Sequence, residues 1–210
     1  FFMAFLVKKP LLEPVFISTQ STNLLIHMPG TIAIVGRPNV GKSALFNRIA
    51  GRRIAIVHDM AGVTRDRVAA EVEWEGKPFT LVDTGGIGLI PGEKSDDIIA
   101  SATVDQVNVA IESADAIIFV ANLQEGIVPL DEEVAQHLRQ SGKPTLIAIN
   151  KADNPKSEEN AVEFASLGFE QIFPVSALHD RGTSELMQQA LKHLPQATTS
   201  SPEDALEGSE

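Results

Sequence analysis

The residues of this chain best suited to chemistry form a short glycine-rich run from position 36 to position 43. The run reads Gly-Arg-Pro-Asn-Val-Gly-Lys-Ser and matches the phosphate-binding pattern G-x-x-x-x-G-K-[ST] at each required position. Glycines let the backbone curl so that successive N–H groups point at phosphate oxygens, and a following helix adds the positive end of its dipole. In this pattern the lysine reaches the β- and γ-phosphates and the serine binds magnesium. The predicted phosphate site comprises Asn39, Val40, Gly41, Lys42, Ser43 and Ala44.

Further positions complete a predicted magnesium and catalytic set. Asp83 begins an Asp-Thr-Gly-Gly sequence at the end of a predicted strand. In this D-x-x-G arrangement the carboxylate contacts magnesium, commonly through water. We expect Thr64 to close over the γ-phosphate and to give its hydroxyl to magnesium. The predicted magnesium ligands are Ser43, Thr64 and Asp83; the predicted catalytic residues are Lys42, Thr64 and Gly86, and Asp83 and Gly86 also belong to the nucleotide-binding set.

A third motif, Asn-Lys-Ala-Asp at positions 150 to 153, carries the chemistry of base recognition. The carboxylate of Asp153 can accept hydrogen bonds from N1–H and the exocyclic 2-amino group of guanine, a donor pair that adenine lacks. Backbone N–H groups after the next predicted strand, at Ser176 and Ala177, can donate to guanine O6. The predicted base-binding residues are Asn150, Lys151, Asp153, Ser176, Ala177 and Leu178.

These motifs follow the strands of a predicted parallel sheet. Short apolar runs predict five strands, and the alternating run 68–75 predicts a sixth that is antiparallel and lies at the sheet edge. The sequence therefore predicts an α/β fold with a mostly parallel six-stranded sheet, one antiparallel edge strand and helices on both faces. The other predicted strands are 31–35, 79–82, 116–121, 145–149 and 171–175, and the predicted helices are 43–49, 98–111, 131–139 and 184–194.

Two stretches without periodicity, 51–67 and 87–95, are predicted to be mobile loops. Long structureless loops inside a compact domain are usually functional, and a loop after the phosphate-binding helix is a suitable nucleotide sensor. The alternative is that Thr64 and the arginines of the first loop belong to an ordinary solvated turn.

Composition limits the class of protein. With 210 residues and 43% hydrophobic content, the chain is sized for one α/β domain with extensions. The net charge of −11 argues against nucleic-acid binding through a general basic surface. The absence of cysteine excludes disulfides and thiolate metal sites and is compatible with a cytoplasmic location. No apolar run reaches the ~20 residues that a membrane-spanning helix requires.

Three segments are predicted along the chain. Residues 28–195 form the nucleotide-binding domain, and the polar, acidic residues 196–210 form a flexible linker. Residues 1–27 are predicted to be a leader outside the fold, with Met28 as the natural start. Their apolar residues are too interrupted for a signal peptide; a transit peptide is the alternative.

The order of the motifs resembles the first GTPase domain of the Der (EngA) family, within the TrmE-Era-EngA group of bacterial GTPases. The resemblance covers about 28–195 and rests on the glycine-rich run, L-F-N-R at 45–48, G-V-T-R-D at 62–66, D-T-G-G at 83–86 and N-K-x-D at 150–153. It implies a Ras-like P-loop GTPase domain that binds GTP or GDP with magnesium, hydrolyses GTP and serves the assembly of the large ribosomal subunit. Family members also carry a second GTPase domain and a KH-like domain. We expect this chain to be a fragment, with ribosome contact only through the full-length protein and no membrane contact.

Water activation is the step that the motifs leave open. Ile87 occupies the position after D-T-G-G, where Ras and Gα use a glutamine to orient the attacking water. The resemblance implies that Asn39 holds a potassium ion beside the phosphates, since relatives with P-N-V-G-K-S and a hydrophobic residue at this position are potassium-stimulated. Arg65 and Arg67 are alternative sources of positive charge. Two other classes stay open, a GTP-dependent switch module with negligible turnover and a P-loop ATPase, the second disfavoured by Asp153.

Overall fold

A seven-stranded β-sheet forms the centre of the fold. The computed structural model describes residues 30–51, 54–58, 68–85 and 95–195. The strands are β1 (Thr31–Val35), β2 (Ile54–His58), β3 (Val68–Trp74), β4 (Lys77–Asp83), β5 (Ala116–Asn122), β6 (Thr145–Asn150) and β7 (Ile172–Pro174). Their order across the sheet is β2-β3-β4-β1-β5-β6-β7. β3 is antiparallel to both of its neighbours, β2 and β4, and the other adjacent pairs of these strands are parallel.

Helices follow the strands at each crossover. They are α1 (Lys42–Ala50), α2 (Asp96–Ser113), α3 (Pro129–Ser141), α4 (Pro155–Glu158) and α5 (Thr183–Ala190), with 3-10 helices at Glu159–Leu167 and Leu191–His193. The start of α3 shows why a helix forms there. Pro129 supplies a preset φ in its first turn, and the Asp131 carboxylate accepts a hydrogen bond from the Val128 N–H at 3.3 Å.

Side chains alternate across the sheet and divide the core into two layers. In β1, Ile32 and Ile34 pack in the layer that contains α1 and α5, whereas Ala33 and Val35 pack in the layer that contains α2 and α3. The interior strand β5 is buried along its whole length, as expected where helices cover both faces of a parallel sheet. The predicted arrangement of helices on both faces is confirmed.

The predicted motifs meet where the parallel strands end, along the edge of the sheet formed by their carboxyl ends. Because β1, β4, β6 and β7 are parallel, their carboxyl ends lie on the same side. The glycine-rich loop follows β1, Asp83 ends β4, Asn150 ends β6, and Ser176 comes two residues after β7. Ligands of open α/β sheets bind outside the carboxyl ends of the strands, so this edge is the candidate site.

The sheet has one strand more than the six that the sequence predicts. All six predicted strands are present, and the α/β class with a mostly parallel sheet is confirmed. The additional strand, β2, lies within 51–67, which the sequence predicts as a loop. Its Ile-Ala-Ile-Val run favours a strand, but the run is short and lies between polar residues, so the sequence predicts a loop there. Because β2 pairs with β3, the antiparallel strand β3 lies inside the sheet, and the prediction that it lies at the edge is wrong.

Several predictions fall outside the described residues. They concern Thr64, Gly86, residues 87–94 of the second predicted mobile loop, the leader and the linker. In the part of the chain that the structure describes, every helix is too short or too polar to cross a membrane.

Candidate functional site

The glycine-rich run forms a tight loop between β1 and α1. Gly36, Asn39 and Gly41 have positive φ angles of 143°, 65° and 97°, which glycine adopts most readily. At Gly41 a side chain would also collide, since a Cβ atom would lie 2.2 Å from Asn150 Nδ2. Because α1 begins directly after the loop at Lys42, the N–H groups of its first turn have no partners within the helix and suit an anion.

The side chain of Lys42 folds back over this loop. Its Nζ donates to the carbonyl oxygens of Gly36 at 2.7 Å and Arg37 at 2.8 Å. Burial lowers the pKa of Lys42 to about 8, although the nearby Asp83 carboxylate acts in the opposite direction; the Arg37 cation lowers it further. A bound phosphate would stabilise the charged form of this buried amine, so the site is electrostatically suited to an anion.

Ser43 and Asp83 bring two oxygen ligands together. Ser43 Oγ donates to Asp83 Oδ2 at 2.7 Å, and the Gly85 N–H donates to Asp83 Oδ1 at 2.8 Å. Thr84 Oγ1 donates to the Ile34 carbonyl at 2.8 Å, which fastens the turn after β4 to β1. Hydroxyl and carboxylate oxygens are ligands that magnesium prefers, so the donor set fits this ion.

Asn150 joins the phosphate end of the site to the base end. Its Nδ2 donates to the Val40 carbonyl at 2.8 Å, and its Oδ1 accepts from the Ala177 N–H at 3.1 Å. The residue is 3% exposed, so both hydrogen bonds are shielded from water. One amide side chain therefore ties the glycine-rich loop to the loop after β7.

The carboxylate of Asp153 is held at the base end by neighbouring polar side chains. Ser176 Oγ donates to Asp153 Oδ1 at 2.7 Å, and Gln124 Nε2 lies 3.5 Å from Asp153 Oδ2. The neighbouring Lys151 has a positive φ of 67°, which marks a sharp turn between the end of β6 and Asp153.

The two N–H groups that the sequence predicts as donors to guanine O6, those of Ser176 and Ala177, already have acceptors inside the protein. The Ser176 N–H donates to the Arg181 carbonyl at 3.0 Å, and the Ala177 N–H is taken by Asn150. Among the hydrogen bonds of the described residues, none uses the N–H of Leu178, whose side chain is largely exposed. Leu178 is therefore the residue of this loop best able to donate to a ligand.

Sequence reasoning missed a buried ion-pair cluster beside the glycine-rich loop. Arg37 Nη2 lies 2.6 Å from Glu125 Oε2, and Arg37 Nε lies 3.3 Å from Asp131 Oδ1. Asp131 is fully buried, and burial raises its pKa although the Arg37 cation opposes the shift. Arg37 fills an unspecified position of the motif, so no sequence signal pointed to its partners.

A second missed residue is Arg48 on α1. Its Nε donates to the Ala177 carbonyl at 2.8 Å and its Nη2 to the Leu178 carbonyl at 2.9 Å. The side chain thereby connects the helix that begins at the phosphate end to the loop at the base end. Arg48 lies in the L-F-N-R motif at 45–48, which supports the family resemblance but gives no sign of this contact.

The fold and the site together define a class of protein. A Walker A loop after the first strand, a D-x-x-G carboxylate beside its serine and an N-K-x-D motif at one edge of a mostly parallel sheet are the features of a Ras-like P-loop GTPase domain. Residues 31–151 match the family model described as 50S ribosome-binding GTPase. The chain belongs to that family.

Similar proteins agree with this assignment. GTPase Der from Natranaerobius thermophilus is 50% identical over 171 residues, which cover 81% of this chain but only 38% of that protein. A variant of Era from Aquifex aeolicus bound to GDP·AlF4⁻ has a TM-score of 0.63 at 34% identity, and the match covers 84% of this chain and 60% of that chain. Era in complex with MgGDPNP and nucleotides 1506–1542 of 16S ribosomal RNA has a TM-score of 0.62 at 35% identity. The match covers 85% of this chain and 61% of that chain.

Proposed function

We propose that this chain binds GTP and hydrolyses it to GDP and phosphate. The observation that carries the proposal is the pair of hydrogen bonds made by Asn150, which holds a phosphate cradle and a base-recognition loop at one edge of the sheet. Lys42 would bind the β- and γ-phosphates, and Asp153 would accept from N1–H and the 2-amino group of guanine. The relatives named GTPase Der and the guanine nucleotides in the Era structures support this assignment.

Magnesium fits the donor set beside the phosphate cradle. Ser43 and Asp83 would hold the ion, directly or through water, because their oxygens already lie 2.7 Å apart. When bound, magnesium neutralises charge on the β- and γ-phosphates. We propose Thr64 as a further magnesium ligand and Gly86 as part of the catalytic set. The MgGDPNP complex of Era supports this part of the proposal.

Potassium is the proposed source of additional positive charge. Asn39 is exposed at the loop with φ of 65°, so its amide oxygen is accessible to an ion beside the phosphates. A monovalent cation there would supply the charge that an arginine finger supplies in related enzymes. We expect faster GTP hydrolysis in potassium than in sodium at equal ionic strength, with most of the difference lost in Asn39→Ala. Equal single-turnover rates in the two salts would transfer this role to Arg65, Arg67 or a partner.

A GTP-dependent switch is the second candidate. The isoleucine at position 87 offers no donor or acceptor for orienting water, which favours slow turnover by the chain alone. In that case the protein would bind GTP and GDP in different conformations and leave rapid hydrolysis to a partner.

The role of the longer protein is a proposal too, because the chain spans only a part of the relatives it matches. We propose that the full-length protein serves assembly of the large ribosomal subunit, supported by the family description and by the relatives' name. The contact with the ribosome would then involve the second GTPase domain and the KH-like domain that the family resemblance implies.

Base selectivity tests the proposed function directly. Asp153→Asn should exchange the preference for GTP for one for xanthosine triphosphate, because an amide can donate to the 2-oxo group of xanthine. A buried site left with unpaired polar groups discriminates by roughly 10⁴ or more, so the loss of GTP affinity should be large. Asp105→Asn, at an exposed position on α2, is the matched control. Competition binding with GTP, ATP and xanthosine triphosphate gives the answer, and an unchanged GTP preference in Asp153→Asn would remove Asp153 from the base pocket.

A further inference from the structure

The contact between α1 and the loop after β7, which contains Ser176, Ala177 and Leu178, is not explained by any nucleotide-binding motif. Arg48 donates through Nε and Nη2 to two successive carbonyl oxygens, those of Ala177 and Leu178, at 2.8 and 2.9 Å. The two partners lie 129 and 130 residues further along the chain. Hydrogen bonds from a guanidinium are stronger than those between neutral groups, and its planar fork fixes the orientation of both acceptors.

The first of these bonds orients the peptide group that carries the Leu178 N–H. The carbonyl of Ala177 and the N–H of Leu178 belong to one planar trans peptide and point in opposite directions. Because Arg48 draws this carbonyl towards α1, the Leu178 N–H is directed away from α1. Within the described residues this N–H has no hydrogen-bond acceptor, whereas those of Ser176 and Ala177 are used inside the protein.

The second bond acts on the Asp153 carboxylate through a short chain of contacts. The carbonyl of Leu178 and the N–H of His179 share the next peptide plane, and this N–H donates to Ser176 Oγ at 3.1 Å. Ser176 Oγ in turn donates to Asp153 Oδ1 at 2.7 Å. Arg48 therefore influences both groups that would recognise guanine, the donor for O6 and the acceptor for N1–H and the 2-amino group.

We propose that Arg48 is a positioning residue for guanine selectivity, acting on the Leu178 N–H and the Asp153 carboxylate from a helix that begins at the phosphates. This proposal rests on the proposed function, since it requires a guanine nucleotide in the site. It assigns Arg48 a role beyond holding α1 to the loop after β7, because a merely structural tie would not alter the preference between bases.

The test compares three diphosphates that share ribose and phosphates. GDP carries both recognition features, IDP lacks the 2-amino group, and 6-thio-GDP replaces O6 with sulfur, a weak acceptor. In Arg48→Met the affinity for GDP should fall by about tenfold, the effect of losing a hydrogen bond to a charged group. The affinities for IDP and 6-thio-GDP should fall less, so both ratios to GDP should approach one. Arg48→Lys keeps the charge without the fork and should give intermediate ratios even if Arg48→Met does not fold.

Arg139→Met is the matched control. Arg139 also ties a helix to a distant carbonyl, that of Leu167, but it lies beside Gly168 in a cavity that none of the predicted nucleotide residues within the described ranges lines. This variant should lose thermal stability and keep both affinity ratios. If the wild-type chain has no preference for GDP over IDP, the proposed function and the role of Arg48 both fail. If the wild type prefers GDP and both Arg48 variants keep that preference, only the role of Arg48 fails.

Discussion

The lowered pKa of Lys42 predicts that protonation and nucleotide binding are coupled. Its pKa of about 8 in the folded chain is below the 10.5 of an ordinary lysine, so the folded chain binds fewer protons than the unfolded chain between these values. The stability of the nucleotide-free protein should consequently rise with pH across this window. Phosphates favour the charged amine, so binding should have the opposite trend, with affinity falling as the pH rises above about 8.

Calorimetry of GDP binding measures this coupling. At about pH 8 the protein should take up protons on binding, seen as a dependence of the observed heat on the ionisation enthalpy of the buffer. Lys143→Met is the control, because Lys143 donates to the Ala114 carbonyl at the opposite end of the strands and should not contribute. Binding without proton uptake would show that Lys42 is fully charged before nucleotide arrives.

At the residue scale, motif spacing selects candidates where chemistry specifies residue types. A phosphate cradle requires glycines and a lysine, and guanine recognition requires a carboxylate, so the sequence alone selects Lys42 and Asp153, and the structure places them over the glycine-rich loop and beside Ser176. The residues that hold this machinery could not be predicted in this way. Arg48 contacts carbonyl oxygens that any residue could provide about 130 positions away, and only the folded backbone brings them together.

At the element scale, Arg37 and Asp131 fasten the glycine-rich loop to the start of α3. Arg37→Met should lower the free energy of unfolding by about 3–5 kcal/mol, because the Asp131 carboxylate would remain buried without its cation. Adding Asp131→Asn should recover a large part of the loss, a non-additivity measurable by urea unfolding. Glu125→Gln is the control; Glu125 is 46% exposed, so this variant should cost about 1 kcal/mol or less.

The pH dependence of this variant gives an independent check. Burial holds the pKa of Asp131 above 3.8, and removal of Arg37 takes away the cation that opposes the shift. The folded variant should bind more protons than the unfolded chain above pH 3.8, so its stability should rise as the pH is lowered towards that value. Additive effects of the two substitutions, or the same pH dependence of stability in Arg37→Met as in the wild type, would show that the pair is not coupled.

Elements were predictable where their pattern is long and periodic, as in the buried strands and in α3. β2 shows the limit: five residues with a strand-forming composition lie between polar residues, and only pairing with β3 defines them as a strand. The 3-10 helix at Glu159–Leu167 was not predicted either, although its buried residues Ala161, Phe164 and Leu167 recur at intervals of three.

At the scale of the whole molecule, four strands that share a direction bring together the residues predicted to bind phosphate, magnesium and base. The assembly role is proposed for a protein longer than this chain, since the match covers only 38% of the relative from Natranaerobius thermophilus, so the activity to test on this chain is its own nucleotide chemistry.

The most direct test of that chemistry is single-turnover hydrolysis of GTP by the 210-residue chain with saturating magnesium. With protein in excess over GTP, we predict conversion to GDP and phosphate at a rate above that of GTP in buffer, and no such conversion with Lys42→Ala because GTP is no longer bound. ATP at the same concentration should be left unchanged. GTP that is bound tightly but hydrolysed no faster than in buffer would contradict the proposal of an intrinsic GTPase and leave a switch that depends on a partner.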